Sequence, residues 1–322
     1  MKRILHLAAL FLLPNAGMGT EPIARITAWN VACGRSDNGG TPIPKDRIER
    51  QGKVIAEKIK PDVLLLEEVW EAGAAEDLAR ASTAAGHPLE ALKVPAQSSG
   101  VVQLLAILKR PGVDVQELQV VEGSEDLVDG DDPSEKSSRK AISALVTIGE
   151  FDFYLVGVHL KSKLAGNGTA KMVVDMRDRQ CRAIANWIKK LTEGKEKDVL
   201  LLGDYNMTPD SEFAPSPPPK PDESDQRNFD SLNSSGKLRF LSSEVKGGTH
   251  LSSYNGKVER SKLDGYAIAT ATEEEFVAGS FRVLDALAIE AAETQFTEKK
   301  SADFLSDHYP ISAEFRTDKD DD

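Results

Sequence analysis

Six short segments of this chain place, at the ends of apolar runs, side chains able to act on a phosphate ester. Leu200-Leu201-Leu202 runs into Gly203-Asp204-Tyr205-Asn206, and Asp62-Val63-Leu64-Leu65-Leu66 into Glu67-Glu68-Val69-Trp70. Trp29-Asn30, Val158-His159-Leu160-Lys161, Lys262-Leu263-Asp264-Gly265-Tyr266 and Ser306-Asp307-His308-Tyr309-Pro310 complete the set. An Asp-x-Asn pair closing a buried strand puts a carboxylate and a carboxamide on one side of the pleat, at the rim of a sheet. Such a pair can hold a phosphate beside a divalent metal. A single Asp or Glu at a strand end is usually a solvated terminus, and a single His is usually structural. Six clusters together specify a chemistry. Phosphodiester hydrolysis needs an activated water, neutralised phosphoryl oxygens and a stabilised leaving group.

The elements that must position these groups follow from periodicity. Residues 25–31 read as a first strand, and a Gly/Pro-rich loop over 34–44 leads to a helix over about 46–60. There Ile48, Val54, Ile55 and Ile59 recur at helical spacing and Pro61 stops the helix. The continuous apolar run 62–66 is a strand of the type buried on both faces. An Ala-rich helix over 72–86, a strand over 101–108 and a polar loop over 123–138 come next. The strands 141–148 and 151–159 turn tightly at Gly149-Glu150. A long helix over 169–191 carries Val173, Met176, Ile184, Trp187, Ile188 and Leu191 as its apolar stripe, with Arg177 and Arg179 expected on its solvated face. After the strand 198–202, the Pro-, Ser- and Asp-rich stretch 209–226 reads as a surface loop. Strands at 263–269 and 310–315 complete the sheets. Strands alternating with helices and hairpins favour α/β or α+β layering in one domain, 21–317, followed by an acidic tail, 318–322.

Composition narrows the setting. Lys2 and Arg3 precede an apolar run from Ile4 to Leu13, then Pro14 and small residues. This reads as a secretory signal over 1–20, too short to span a bilayer, so a secreted or periplasmic protein without a stable membrane anchor is expected. The net charge of -12 gives no general attraction to polyanions, so any phosphate binding must come from a local basic cleft and metal. Two cysteines, Cys33 and Cys181, fit no metal-site spacing; they are either a disulfide or two separate buried thiols.

From about Ile26 to Phe315, the order and local sequence of these clusters resemble the endonuclease/exonuclease/phosphatase superfamily of metal-dependent phosphoesterases. G-D-Y-N at 203–206 and S-D-H-Y-P at 306–310 are the most specific matches. P-D-V-L-L-L-E-E-V at 61–69 and I-T-A-W-N-V at 26–31 also match. The resemblance implies a four-layer α-β-β-α sandwich, two packed mixed β-sheets flanked by helices. It implies Glu68 as the main ligand of a magnesium-type ion, helped by Asn30 and Asp307. Manganese or calcium are further hard cations for such oxygen ligands. It makes His308 the general base, oriented by Asp264, with Asp204 and Asn206 positioning nucleophile and phosphoryl oxygen. His159 would donate from the phosphate's other side, and Arg139 and Lys161 would add positive charge.

Three departures from the family pattern stand out. Glu67 replaces the usual Gln, and either strengthens the metal site or caps a backbone group. Ala32 stands where some relatives carry Asp or Asn, which implies one principal metal. Gln103 is the nearest polar residue where a Glu supports the counterpart of His159 in the deoxyribonuclease type. A monomeric secreted nuclease is the first expectation. A phospholipase C- or sphingomyelinase-type enzyme, or a phosphomonoesterase, is the alternative, and a catalytically silent binding module comes last, since Glu68, Asp204, Asn206, Asp264 and His308 are all present.

Overall fold

The computed structural model describes residues 22–34, 43–44, 46–71, 73–92, 103–125, 139–163, 169–194, 196–207, 223–243, 248–254, 257–284 and 305–320. The expected signal over 1–20 and most of the expected loops at 34–44, 123–138 and 209–226 lie outside these residues.

Two six-stranded sheets form the centre. The first runs β13 (Arg282–Val283), β14 (Ile311–Arg316), β1 (Ile23–Cys33), β2 (Val63–Val69), β4 (Leu104–Lys109), β3 (Glu90–Ala91). The second runs β5 (Asp114–Val120), β6 (Ile142–Ile148), β7 (Phe151–His159), β8 (Val199–Asp204), β12 (Asp264–Ala269), β9 (Leu238–Phe240). Each sheet holds one parallel pair, β1 with β2 and β7 with β8, among antiparallel neighbours. A parallel pair needs a crossover, and helices supply it. Between β1 and β2 comes α1 (Arg47–Val54), which widens into a π-helical turn over Ile55–Ile59 and ends at Lys60 in a left-handed conformation before Pro61. Between β7 and β8 comes α3 (Ala170–Thr192), its first turn capped by the Thr169 hydroxyl, which accepts from the Met172 amide.

Alternation along the strands produces three cores. Inner-face residues such as Ile26, Leu65, Leu155, Leu202, Tyr266 and Phe315 pack the sheets together. Trp29, Leu64 and Leu66 face Ile55, Ile59 and α2 (Ala74–Ala84) on one outer side. Val156, Val158 and Leu201 face Cys181, Ile184 and Ile188 of α3 on the other. The layering is therefore helix, sheet, sheet, helix. Each fully buried Leu, Ile or Phe contributes about 1.5–3 kcal/mol.

Several elements carried too little pattern to be foreseen. In β5 the alternation breaks at a bulge where Glu117 takes φ 50° and the pairing with β6 shifts. The helix α4 (Glu223–Leu232) occupies the end of the expected 209–226 loop and continues past it. The ribbon β10 (His250–Tyr254) and β11 (Lys257–Ser261) stands apart from both sheets. Trp187 is half-buried rather than fully covered. Arg177 is a correction: it is buried, not solvated, because α4 covers that side of α3 and supplies Asp225 as its partner. Among the described residues, no helix is long and apolar enough to cross a membrane.

The two thiols occupy different outer cores with both sheets between them, so both are free. Burial pushes each up to about 12. We predict that neither reacts with a thiol reagent at pH 8 in the folded protein and that both react after denaturation. Fast labelling of the native state would contradict this placement.

Candidate active site

The site forms where the inner faces of the sheets stop being apolar. Along β1, Ala24, Ile26 and Ala28 point into the inter-sheet core, and the next residue of that parity is Asn30. The same step leads from Leu65 to Glu67, from Leu202 to Asp204, and from Tyr266 back to Asp264. On β7 it leads from Leu155 through Gly157 to His159. A Cβ on Gly157 would lie 2.6 Å from Leu65 Cδ1, so glycine lets the sheets close together just beneath the site. Asn30 and Glu67 are register partners in one sheet; His159, Asp204 and Asp264 form a row across the other.

Asp204 is the hub. Its Oδ2 faces Asn30 Nδ2 at 3.4 Å, His159 Nε2 at 3.4 Å and His308 Nε2 at 3.9 Å. Its Oδ1 accepts from the Asn206 amide at 2.8 Å. Burial, with Asp264 adding to it, pushes the Asp204 carboxyl up to about 7 against the pull of His308. Gly203 precedes it at φ 131°, a region closed to side chains here, since a Cβ would meet the Val158 carbonyl. The Asn206 Nδ2 donates to the Leu160 carbonyl at 2.9 Å, fixing this amide against the end of β7.

Glu67 and Glu68 diverge at a bulge. Glu67 is buried between the sheets and its Oε2 accepts the Asp204 amide at 2.7 Å; it caps a backbone group in the opposite sheet. Burial first, then Asp264 and Asp204, hold its carboxyl well above the usual range. Glu68 takes φ 55°, where the β2–β4 register shifts, and this turns its side chain toward the cleft. Burial and Asp307 raise the Glu68 carboxyl, opposed by His308, Arg139 and an Asn30 hydrogen bond. Gln103 Nε2 donates to Glu68 Oε1 at 3.2 Å, and Arg139 Nε and Nη2 donate to Gln103 Oε1 at 2.8 and 2.5 Å. Gln103 therefore supports Glu68 and Arg139, not His159. The buried Asn30 Oδ1 has no hydrogen-bond partner among the described residues.

The two sequence-predicted histidines differ. His308 Nδ1 bonds Asp264 at 2.9 and 3.1 Å, and Trp29 Nε1 donates to the His308 carbonyl at 3.0 Å. Burial works against a charge on His308, but Asp264, Asp204 and Asp307 outweigh it and hold the imidazole well above its ordinary value. His159 goes the other way, depressed by burial and then by Arg139, His308 and Lys161. It is neutral, and its Nδ1 has no partner among the described residues. Lys161 lies on the coil leaving β7, partly exposed.

Eight of the ten sequence-predicted site residues are thus brought together at one rim, and the other two, Asp307 and Lys161, stand beside it in the chain and act on Glu68 and His159 through their charge. His250 was missed: its ring lies 4.6 Å from that of His308, and burial and His308 lower it to about 4. It follows Gly247-Gly248-Thr249 rather than an apolar run, so no strand end marked it in the sequence. A separate group, Asp152, Glu196 and Asp320, brings carboxylate oxygens within 4.8 Å of one another. It includes the far end of β7 from His159, and nothing in the sequence reading singled it out.

No protein-family profile matches the chain, and no curated protein does. Solved structures do. A Neisseria 3' phosphatase, NExo, bound to product DNA hairpin, matches with TM-score 0.59 over 91% of this chain and 99% of that one, at 18% identity. An endonuclease/exonuclease/phosphatase family protein of Bacteroides thetaiotaomicron matches with TM-score 0.58 over 92% and 95%, at 16% identity. D. rerio TDP2, complexed with single strand DNA product, matches with TM-score 0.56 over 91% and 98%, at 16% identity. The chain has the fold of the endonuclease/exonuclease/phosphatase proteins.

After burial, which works against the charge, Asp264 is the largest influence on His308, through its charge and its hydrogen bond. In the metal-free protein, Asp264→Asn should therefore lower the pH at which the His308 ring titrates, read from its Cε1 proton by NMR. An unmoved midpoint would show that Asp264 does not govern the imidazole.

Proposed function

We propose that this protein is an exported, divalent-metal-dependent phosphodiesterase of the endonuclease/exonuclease/phosphatase superfamily that cuts nucleic acid with a His308-activated water. The observation that carries the reading is the arrangement of Asn30, His159 and His308 around Asp204 Oδ2, with Asp264 behind His308 and Glu68 beside them. Two histidines of opposite proton affinity flank one carboxylate. That asymmetry is what separate acid–base roles require.

The donor set suits a hard cation. Asn30 Oδ1 is a buried carbonyl-type oxygen lacking a hydrogen-bond partner among the described residues, and the Asp307 carboxylate is near enough to raise that of Glu68. Oxygen ligands alone favour magnesium or manganese, and calcium is a further hard cation of the same preference. When bound, such an ion neutralises charge on the phosphoryl oxygens. A cation held beside it would oppose the charge on His308; the ring, then neutral at Nε2, would take the proton of the attacking water, and Asp264 stabilises the charged ring and fixes its orientation. Neutral His159 donates an N–H hydrogen bond to a phosphoryl oxygen. Asp204 and Asn206 orient the water and the ester, while Arg139 and Lys161 attract the phosphate.

Nucleic acid is the favoured substrate because two of the structural neighbours were solved with DNA products. Among the described residues the exposed large apolar side chains are Ile23 and Met172; neither is aromatic, and membrane-surface anchors favour Trp and Tyr. The basic–apolar segment from Lys2 to Leu13 supports export.

The test is a substrate panel with magnesium: plasmid DNA, RNA, sphingomyelin and a bis-aryl phosphate. Plasmid nicking that a chelator abolishes is expected. His308→Ala should cut turnover by roughly 10²–10⁴-fold with the fold intact, and Glu68→Gln should raise the magnesium needed for half-maximal rate by about tenfold or more. Release of the sphingomyelin head group without DNA cleavage would replace the nuclease reading. Full turnover by His308→Ala would remove that residue from the reaction.

A further inference from the structure

Gln180 lies in the middle of α3, fully buried, on the outer side of the second sheet, away from the cleft. Its three contacts are all to backbone. Oε1 accepts the Lys161 amide at 2.9 Å, and Nε2 donates to the Arg139 carbonyl at 3.1 Å and the Ser124 carbonyl at 3.0 Å. One amide therefore ties together the backbones of two cations that flank the cleft. One turn earlier on α3, Arg177 Nη1 donates to the Lys161 carbonyl at 2.9 Å, so the helix grips Lys161 from both sides of its peptide. The Arg177 Nη2 bonds Asp225 of α4 at 3.1 Å, and Asp225 also pairs with Lys163. On the cleft side, Arg139 Nη1 and Asn206 Nδ2 both donate to the Leu160 carbonyl at 2.9 Å.

A buried amide with every partner fixed is a costly group to place by chance, since any unmet donor or acceptor would destabilise the fold. Gln180 cannot shift without moving both cation-bearing segments. A displacement of about 1 Å at a phosphate contact already weakens that contact substantially.

We infer that Gln180 is a positioning residue: it sets the placement of Arg139 and Lys161 together, and thereby the affinity for the phosphate of the substrate. This rests on the phosphate-binding role proposed for Arg139. Gln180 touches no substrate itself. Its loss moves the two cations and leaves the His308–Asp264 pair on its own supports.

The test is a double-mutant cycle on the magnesium-loaded protein, with the bis-aryl phosphate as substrate and inorganic phosphate as inhibitor. Gln180→Met keeps the volume and removes all three hydrogen bonds. It should raise KM and the inhibition constant for phosphate by about fivefold or more while kcat stays within about twofold. In Gln180→Met/Arg139→Ala the KM should be less than the product of the two single effects, because both changes act on one contact. Gln180→Glu, which keeps the Oε1 acceptor for Lys161 and loses the donors, should lie between parent and Gln180→Met; it is the variant to use if Met at this site prevents folding. A lower melting point with unchanged KM and phosphate inhibition in both variants would make Gln180 purely structural and overturn the inference. Fully multiplicative KM effects would do the same. Unchanged KM in Arg139→Ala alone would instead refute the phosphate-binding role beneath it.

Discussion

Everything at the rim depends on polar side chains being buried between two sheets, where several of them reach across to the opposite one. Glu67 of the first sheet caps the Asp204 amide of the second, and His308, just ahead of β14, bonds Asp264 at the start of β12. Ser306 Oγ donates to the Asn30 carbonyl at 2.5 Å and accepts the His308 amide at 3.0 Å, which fixes the segment carrying the imidazole. A buried polar group left unmatched costs about 1–3 kcal/mol, against about 0.5–1.5 kcal/mol contributed by a matched one. The sheets are therefore locked in relative position at the place where chemistry requires it. The same burial sets the charges: it raises Asp204 and Glu67, depresses His159, and is overcome only at His308, where three carboxylates act together.

Backbone strain is concentrated there too. Six described residues other than glycine have positive φ, and four of them, Ala32, Glu68, Gln103 and Asn206, belong to the strand ends around the cleft. Each costs on the order of 1 kcal/mol or more, offset by the three apolar cores. At Glu68 the return is direct: a regular strand would send that side chain to the helical side with Leu66, whereas the bulge turns it to the cleft.

The legible part of this structure was whatever period two or period 3.6 could write. Buried strands such as β2 and β8 read plainly because both faces are apolar, and their polar ends marked the rim. The family motifs supplied the layering and the pairing of His308 with Asp264. Contacts made by three-dimensional closure left no such trace. Arg177 occupies a position that reads as solvated until α4 covers it. Gln180 shows no periodic signal because its partners are backbone groups from three segments. His250 reaches His308 from a two-stranded ribbon that belongs to neither sheet and has no run of apolar residues to announce it. The fate of Glu67, metal support or backbone cap, was decided by the second sheet alone.

The proposal stands or falls on whether this rim holds a cation. Anomalous diffraction from crystals grown with manganese tests it most directly. The account predicts a peak bounded by Asn30 Oδ1, Glu68 and Asp307. A peak confined to the carboxylates of Asp152, Glu196 and Asp320, with none at the rim, would contradict it.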